Sequence, residues 1–455
     1  PGAPETPVVP ASRHRKSHER RRPAPLVGYH RPVFELTSLP DGPRVISATL
    51  PGARSVSVAA YVLAGSRLER PQEAGAAHFM EHITFKGTDR YPTARAISEA
   101  IEGVGGNFNA ATDRESTIYW VRVPRREVAR ATDVLGELIV RPRLDQREID
   151  QERTVIIEEI RSYLDDPAEH AQIMFQLALF GDTALGREIC GDEAGIRALP
   201  GAVIHDFWGR AYRPANVVVS VAGDLSHGEA VELVATAFGA GNGVGSLGFE
   251  PAPALPAGER YLRAARDTTQ ASLIVGVPAL HRDHPDSWAL TVLNTILGEG
   301  MSCRLFQAVR EEQGLAYDVG SGVVDYADAG ALAISAGVDP GNLRAALSAI
   351  LVELARLRDD LVGEEELGKA KAYISGGLEL RMEETRHLAS WIGGQQALHD
   401  RVYTLEEAVD AIEAVDAGSV RDLAGRLFRD DALRLAVVAP PRFGRGLERL
   451  LRMPA

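Results

Sequence analysis

A pattern in the first half of the chain returns in the second. Ile196-Arg197-Ala198-Leu199-Pro200, a helix-like stretch and the apolar run Val217 to Ala222 are echoed by Ile412-Glu413-Ala414-Val415-Asp416, another helix-like stretch and Leu433 to Ala439. A separation of roughly 217 residues is too long for a solenoid and implies a duplicated domain. The Pro- and Ala-rich segment Glu250 to Pro256 reads as the join. The expected organisation is an arm over residues 1–34, a first domain over 35–249, a linker over 250–257 and a second domain over 258–455.

In the first domain, residues 55–62 alternate as a half-buried strand and 71–85 are helix-like. Thr93 caps a helix predicted over 94–104, which Gly105-Gly106 ends. Strands over 108–111 and 116–123 flank the polar turn Thr112-Asp113-Arg114-Glu115. Helices are predicted over 126–140, over 148–164 with a stop at Asp165-Asp166-Pro167, and over 201–212 before a buried strand at 216–223. This mixed order gives an α+β fold class, with two homologous α/β-sandwich-type domains.

Composition excludes several roles. No apolar run reaches the roughly 18 residues of a membrane span, and apolar and charged fractions of 45% and 25% are those of a soluble globular protein. A net charge of -13 disfavours nucleic acid and anionic lipid as partners and mildly favours basic peptides. Cys190 and Cys303 are too few for a disulfide framework or a thiolate metal site, which fits a reducing, cytoplasmic setting. The Arg-rich arm around residues 13–22 has no apolar stretch behind it, so it reads as a solvated arm or a partner-docking segment, not a secretory signal.

His78-Phe79-Met80-Glu81-His82 lies in the helix-like stretch, and a spacing of four puts both imidazoles on one face. Neutral imidazoles suit zinc, and a catalytic zinc takes a third protein ligand while leaving one position open. Glu81 then stands beside the metal, able to take a proton from water acidified to a pKa of about 7 and to return it to a leaving amine. The order H-x-x-E-H is the inverzincin pattern. The bare motif is equally compatible with a hydrogen-bonded surface cluster. The helix over 148–164 carries Glu152 and Glu159 seven residues apart, on one face with Val155 and Ile156. Either carboxylate could ligate the metal while the other orients a histidine, or Glu158 and Glu159 could face solvent near Arg161. His170, His205, His227, His281, His284, His387 and His399 have no competing spacing and read as structural or exposed, and Met80 as core.

The phrase Ala77-His78-Phe79-Met80-Glu81-His82-Ile83-Thr84-Phe85-Lys86-Gly87-Thr88 resembles the signature of the pitrilysin-like, inverzincin metallopeptidases, in particular the short members similar to mitochondrial processing peptidase. The resemblance covers nearly the whole chain after about Glu35. It implies a clamshell-like half-shell, with Glu159 as the third zinc ligand and Glu152 as its catalytic companion. Gly105 to Thr112 is similar to the family's active-site edge strand, which implies that a peptide adds as an extra strand along Asn107, Phe108, Asn109 and Ala110. On residue type alone the two asparagines are turn or strand-edge positions.

In the second domain the repeat-matched positions are Thr295 and Glu299, and the matching helix carries Gly376-Gly377, so that half cannot hold the metal. Its segment Arg304 to Tyr317 looks like the family segment whose arginine and tyrosine reach the bound peptide, which implies Arg310 and Tyr317. An arginine there clamps a substrate carbonyl, and a tyrosine hydroxyl stabilises an oxyanion. Taken alone, the two would be a surface ion pair and a buried ring.

The expectation is a zinc metalloendopeptidase, with one Zn2+ per chain, that hydrolyses extended or unfolded peptides and handles folded proteins poorly because two domains must close. Manganese or cobalt would suit the same ligands under a different supply. The alternative is a non-catalytic or partner-dependent peptide-binding subunit of a processing-peptidase-like assembly. Retention of His78, Glu81, His82 and Glu159 together speaks against it. With Arg310 and Tyr317 in the same chain a homodimer suffices, and a heteromer with a related subunit stays open.

Overall fold

The computed structural model describes residues 34–40, 42–239, 247–254 and 256–454. The expected arm therefore lies outside them except for Phe34, which opens the first strand.

The first half builds β1 (Phe34–Ser38), β2 (Arg44–Thr49), β3 (Ser55–Val62), β4 (Asn107–Thr112), β5 (Thr117–Pro124) and β6 (Val217–Gly223), paired in the order β1-β2-β6-β3-β5-β4. Its helices are α1 (Ala76–Thr84), α2 (Ala94–Glu102), α3 (Val128–Val140), α4 (Gln146–Asp165), α5 (Pro167–Phe180), α6 (Glu193–Ala198), α7 (Gly201–Ala211) and α8 (His227–Phe238). The second half builds β7 (Tyr261–Ala265), β8 (Ala271–Pro278), β9 (Ala316–Asp325), β10 (Gly330–Val338) and β11 (Arg434–Ala439), in the order β7-β11-β8-β10-β9. Its helices are α9 (Ser287–Gly298), α10 (Leu343–Asp359), α11 (Glu364–Met382), α12 (Thr385–Leu398), α13 (Leu405–Ala414) and α14 (Ala417–Leu427).

The duplication extends to the strand pairing. β2, β6, β3, β5 and β4 have counterparts in β7, β11, β8, β10 and β9, down to the one parallel pair in each sheet, β2 with β6 and β7 with β11. β6 and β11 are central and buried along their length, which is why both read as continuous apolar runs.

The predicted helix over 71–85 is broken. A 3-10 turn over Pro71–Glu73 precedes α1, and Gly75 between them takes φ +91, where a Cβ would lie 2.7 Å from the Cys190 carbonyl oxygen. The buried Glu69 carboxylate then accepts the Gly75 and Ala77 amides at 3.0 and 2.7 Å and so closes the start of α1. Asp165-Asp166-Pro167 does stop α4, but it also starts α5. Asp166 accepts the Ala168 and Glu169 amides, and Pro167 fills the first helical position, where a missing N–H costs nothing.

The halves exchange helices. α5 lays Phe175, Leu179 and Phe180 on the second sheet against Ile274, Ala436 and Val438, and α12 lays Leu388, Ala389 and Ile392 on the first sheet against Ile46, Ala59 and Val218. Each fully buried side chain of that size contributes roughly 1.5–3 kcal/mol, so the two repeats are fastened into one body.

Candidate metal centre

His78 and His82 lie one turn apart on α1, with ring centroids 4.5 Å apart. α4 packs across α1 and presents Glu159, whose carboxylate oxygens lie 3.8 Å from His78 Nε2 and 3.2 Å from His82 Nε2. Ligand atoms of these three residues all fall within 4.8 Å of one another, and among the described residues no other trio of His, Cys, Asp or Glu does so. Two imidazole nitrogens and a carboxylate converging on one point are the donor set of a catalytic zinc site, so the residues present fit the metal.

Glu152, one face-repeat earlier on α4, accepts from His82 Nδ1 at 2.8 Å. That bond fixes an Nδ1 proton and aims Nε2 at Glu159, where Nε2 would serve as the lone-pair ligand once a metal replaced its proton. Lys86 pairs with the other Glu152 oxygen, and the Tyr163 hydroxyl donates to Glu159. Ile156 is buried between the two carboxylates as the stripe requires, but Val155, grouped with them in the sequence reading, is 50% exposed. One helical step carries it off the flank of the stripe.

The electrostatics carry the mark of a cation site. Burial, with His82 close by, pushes His78 down to about 4. Burial acts the same way on His82, but its hydrogen bonds to Glu152 and Glu159 outweigh it and raise the group to about 9. The His82 bond holds Glu159 down at about 2 against burial. Without a metal, His82 is thus the cation and Glu159 the anion beside it, in the place where a metal ion would satisfy all three groups.

Glu81 lines the same cleft, together with Ala110, Ala111 and Thr112 of β4. Its carboxyl is raised by burial, and Oε2 accepts the Thr112 hydroxyl at 2.6 Å. β4 is the outermost strand of its sheet, so its far edge is open to an added strand. Of the edge positions, Ala110 borders the cleft, Phe108 packs on Phe85 with centroids 5.6 Å apart, Asn109 bonds the Ala110 amide, and Asn107 lies exposed at the strand's far end.

Arg310 and Tyr317 are brought to each other, with the guanidinium 5.6 Å from the tyrosine ring and 4.7 Å from that of Phe306. Arg310 belongs to a π-helical segment over Phe306–Glu312, and Tyr317 is the second residue of β9, the counterpart of β4. Tyr317 is 73% exposed, and neither residue lines the metal cleft. At the repeat-matched positions Thr295 and Asn294 both donate to Glu299, at 3.1 and 2.6 Å, and Gly376 faces open space. Sequence reasoning missed Glu69, Lys86, Thr112 and Tyr163. Only Tyr163 had a usable signal, four residues after Glu159 on the same helix.

Residues 44–193 match the family model described as insulinase (peptidase family M16), and residues 199–374 match the peptidase M16 inactive domain, a span that begins before the linker. An uncharacterized zinc protease of Mycobacterium leprae is 36% identical over 420 residues, covering 92% of this chain and 94% of the relative. Another from Streptomyces coelicolor is 36% identical over 395 residues, covering 85% and 86%. Among solved structures, a protease from Helicobacter pylori superposes with a TM-score of 0.81 at 22% identity, over 90% of this chain and all of that one.

Proposed function

The chain belongs to peptidase family M16, and on that premise we propose that it is a zinc-dependent endopeptidase acting on extended or unfolded peptides. The observation that carries this reading is the convergence of His78, His82 and Glu159 beside Glu81, in a cleft walled by a free strand edge. A zinc ion held by those three residues supplies the positive pole that acidifies water and polarises a carbonyl.

The other steps fall to the chain's own side chains. A peptide pairs with the outer edge of β4 through its main chain, which gives broad sequence tolerance and excludes residues already folded into their own structure. Glu81, oriented by Thr112, takes the proton of the attacking water and passes it to the leaving amine. Glu152 keeps His82 in the donor tautomer. Arg310 and Tyr317 stand outside the cleft, so clamping the peptide and stabilising an oxyanion would require it to span both halves. One zinc per chain and a homodimeric assembly complete the reading.

The second reading, a non-catalytic peptide-binding subunit, draws on the second half, which matches an inactive domain and has Thr295, Glu299 and Gly376 in place of ligands. The full ligand set in the first half favours the enzyme. Chelation should abolish cleavage of an unstructured peptide and zinc should restore it, while the same peptide embedded in a folded domain should resist. Cleavage that survives thorough chelation would remove the metal from the account.

A further inference from the structure

Resting on the reading of Glu81 as the base, we propose that Arg282 of the second half is a positioning residue for it. Arg282 grips the β4–β5 turn through Glu115, and that turn holds the end of β4 from which Thr112 reaches Glu81.

Glu115 is 4% exposed, and a carboxylate so far from water needs full compensation. It receives Arg67 Nη1 and Arg282 Nη2, each at 2.6 Å, and the Ala327 amide at 3.0 Å. Arg67 and Glu115 belong to the first half, whereas Arg282 and Ala327 belong to the second. Arg282 is itself immobilised, with Nε on Asp325 at 3.1 Å, Nη1 on the Leu398 carbonyl at 3.4 Å and its own amide on the Tyr326 carbonyl at 2.9 Å. Leu398 ends α12, the helix that the second half lends to the first sheet. Arg67 also leans on the other half, through Asp328 at 2.8 Å and the Glu250 carbonyl of the linker at 3.0 Å.

The path from this knot to the base is short. Asp113 N donates to the Ser116 carbonyl at 2.8 Å, and the Ser66 and Arg67 amides donate to the Asp113 and Arg114 carbonyls at 3.2 and 2.7 Å. The turn therefore moves as a unit with whatever holds Glu115. Thr112, at its start, places its hydroxyl 2.6 Å from Glu81 Oε2. The half without metal ligands thus sets the orientation of the carboxylate that works beside the metal. An arginine fork, not charge alone, is required, because the one guanidinium reaches Glu115, the Asp325 carboxylate and carbonyl and the Leu398 carbonyl at once.

Arg282→Lys tests this by keeping the charge and losing the fork. With KM and zinc content within about twofold of wild type, kcat should fall roughly 10- to 100-fold, the usual consequence of a small misplacement of a reacting group. Thr112→Val should fall similarly, Thr112→Ser should recover most of the rate, and the double variant Arg282→Lys/Thr112→Val should fall no further than either single one. A folded Arg282→Lys with wild-type kcat, or losses that multiply in the double variant, overturns the proposal. Should Arg282→Lys not fold, Asp325→Asn frees the same guanidinium and carries the same expectations at smaller size. A crystal structure of the Arg282 variant decides without turnover, since a Thr112–Glu81 contact kept at 2.6 Å refutes the coupling. Wild-type protein that binds zinc and cleaves nothing sinks the peptidase reading instead, and the crystallographic arm still settles the positioning.

Discussion

The two halves solve one packing problem with opposite polar endings. In the first, α1 and α4 bring together His78, His82 and Glu159, which only a proton or a cation can satisfy together. In the second, α9 and α11 meet in the same way, but Thr295 and Asn294 donate to Glu299 and Gly376 leaves open space, so the polar groups satisfy one another. The helix pair is thus a property of the duplicated fold, and the proposed chemistry rests on three side chains set into one copy of it.

The largest expected effect comes from making the first half like the second. Glu159→Gly should remove zinc from the purified protein and lower kcat/KM by at least about 10³-fold, since one of three ligands is gone. Metal analysis and peptide cleavage check it together, and a variant that retains zinc would break the comparison.

Next comes the exchange of helices. Phe175→Ala on α5 should cost roughly 3–5 kcal/mol, the usual range for a buried phenylalanine. Because α5 rests on the second sheet, calorimetry should show both halves unfolding in one earlier transition. Two separate transitions, with only one of them shifted, would mean that the halves are independent.

Smaller effects distinguish the supporting residues. Glu152→Gln should weaken zinc affinity roughly 10- to 100-fold by releasing His82. Lys369 of α11, which reaches the Ser302 carbonyl and no metal group, should tolerate Ala without change in zinc titration. Smallest is a pH effect on the metal-free protein. His82 rises from 6.5 to about 9 on folding, so its stabilisation is fully present below pH 6.5 and is lost as pH climbs through 9. Glu159 is depressed from 4.5 to about 2, so its share is present above pH 4.5 and fades toward pH 2. Tm of the stripped protein should fall between pH 6.5 and 9, and His82→Gln should flatten that limb.

Much of this was legible in the chain. A spacing of four on a helix carries His78 and His82 to one face whatever surrounds them. β3 has the predicted bounds over 55–62, but it is not half-buried as expected, because α12 covers the face of Ala59 and Tyr61 that alternation assigned to solvent. The duplication was visible because interior strands such as β6 and β11 are apolar but for Ser220 and Arg434. The exchange of α5 and α12 was not, since an apolar helix face records that it is buried but not which sheet buries it. Asp166-Pro167 was read as a stop alone, although a cap followed by proline also describes a start. Arg67, Glu115 and Arg282 come from three distant segments, and no local pattern announces a contact of that kind.

The most direct test of the account compares wild type with Glu81→Gln in zinc content and in cleavage of a quenched unstructured peptide. The account predicts about one zinc per chain in both proteins, and loss of roughly 10²- to 10⁴-fold of the cleavage rate in the variant alone. Wild type that holds no metal, or that holds it and cleaves no member of a diverse peptide library, would contradict it.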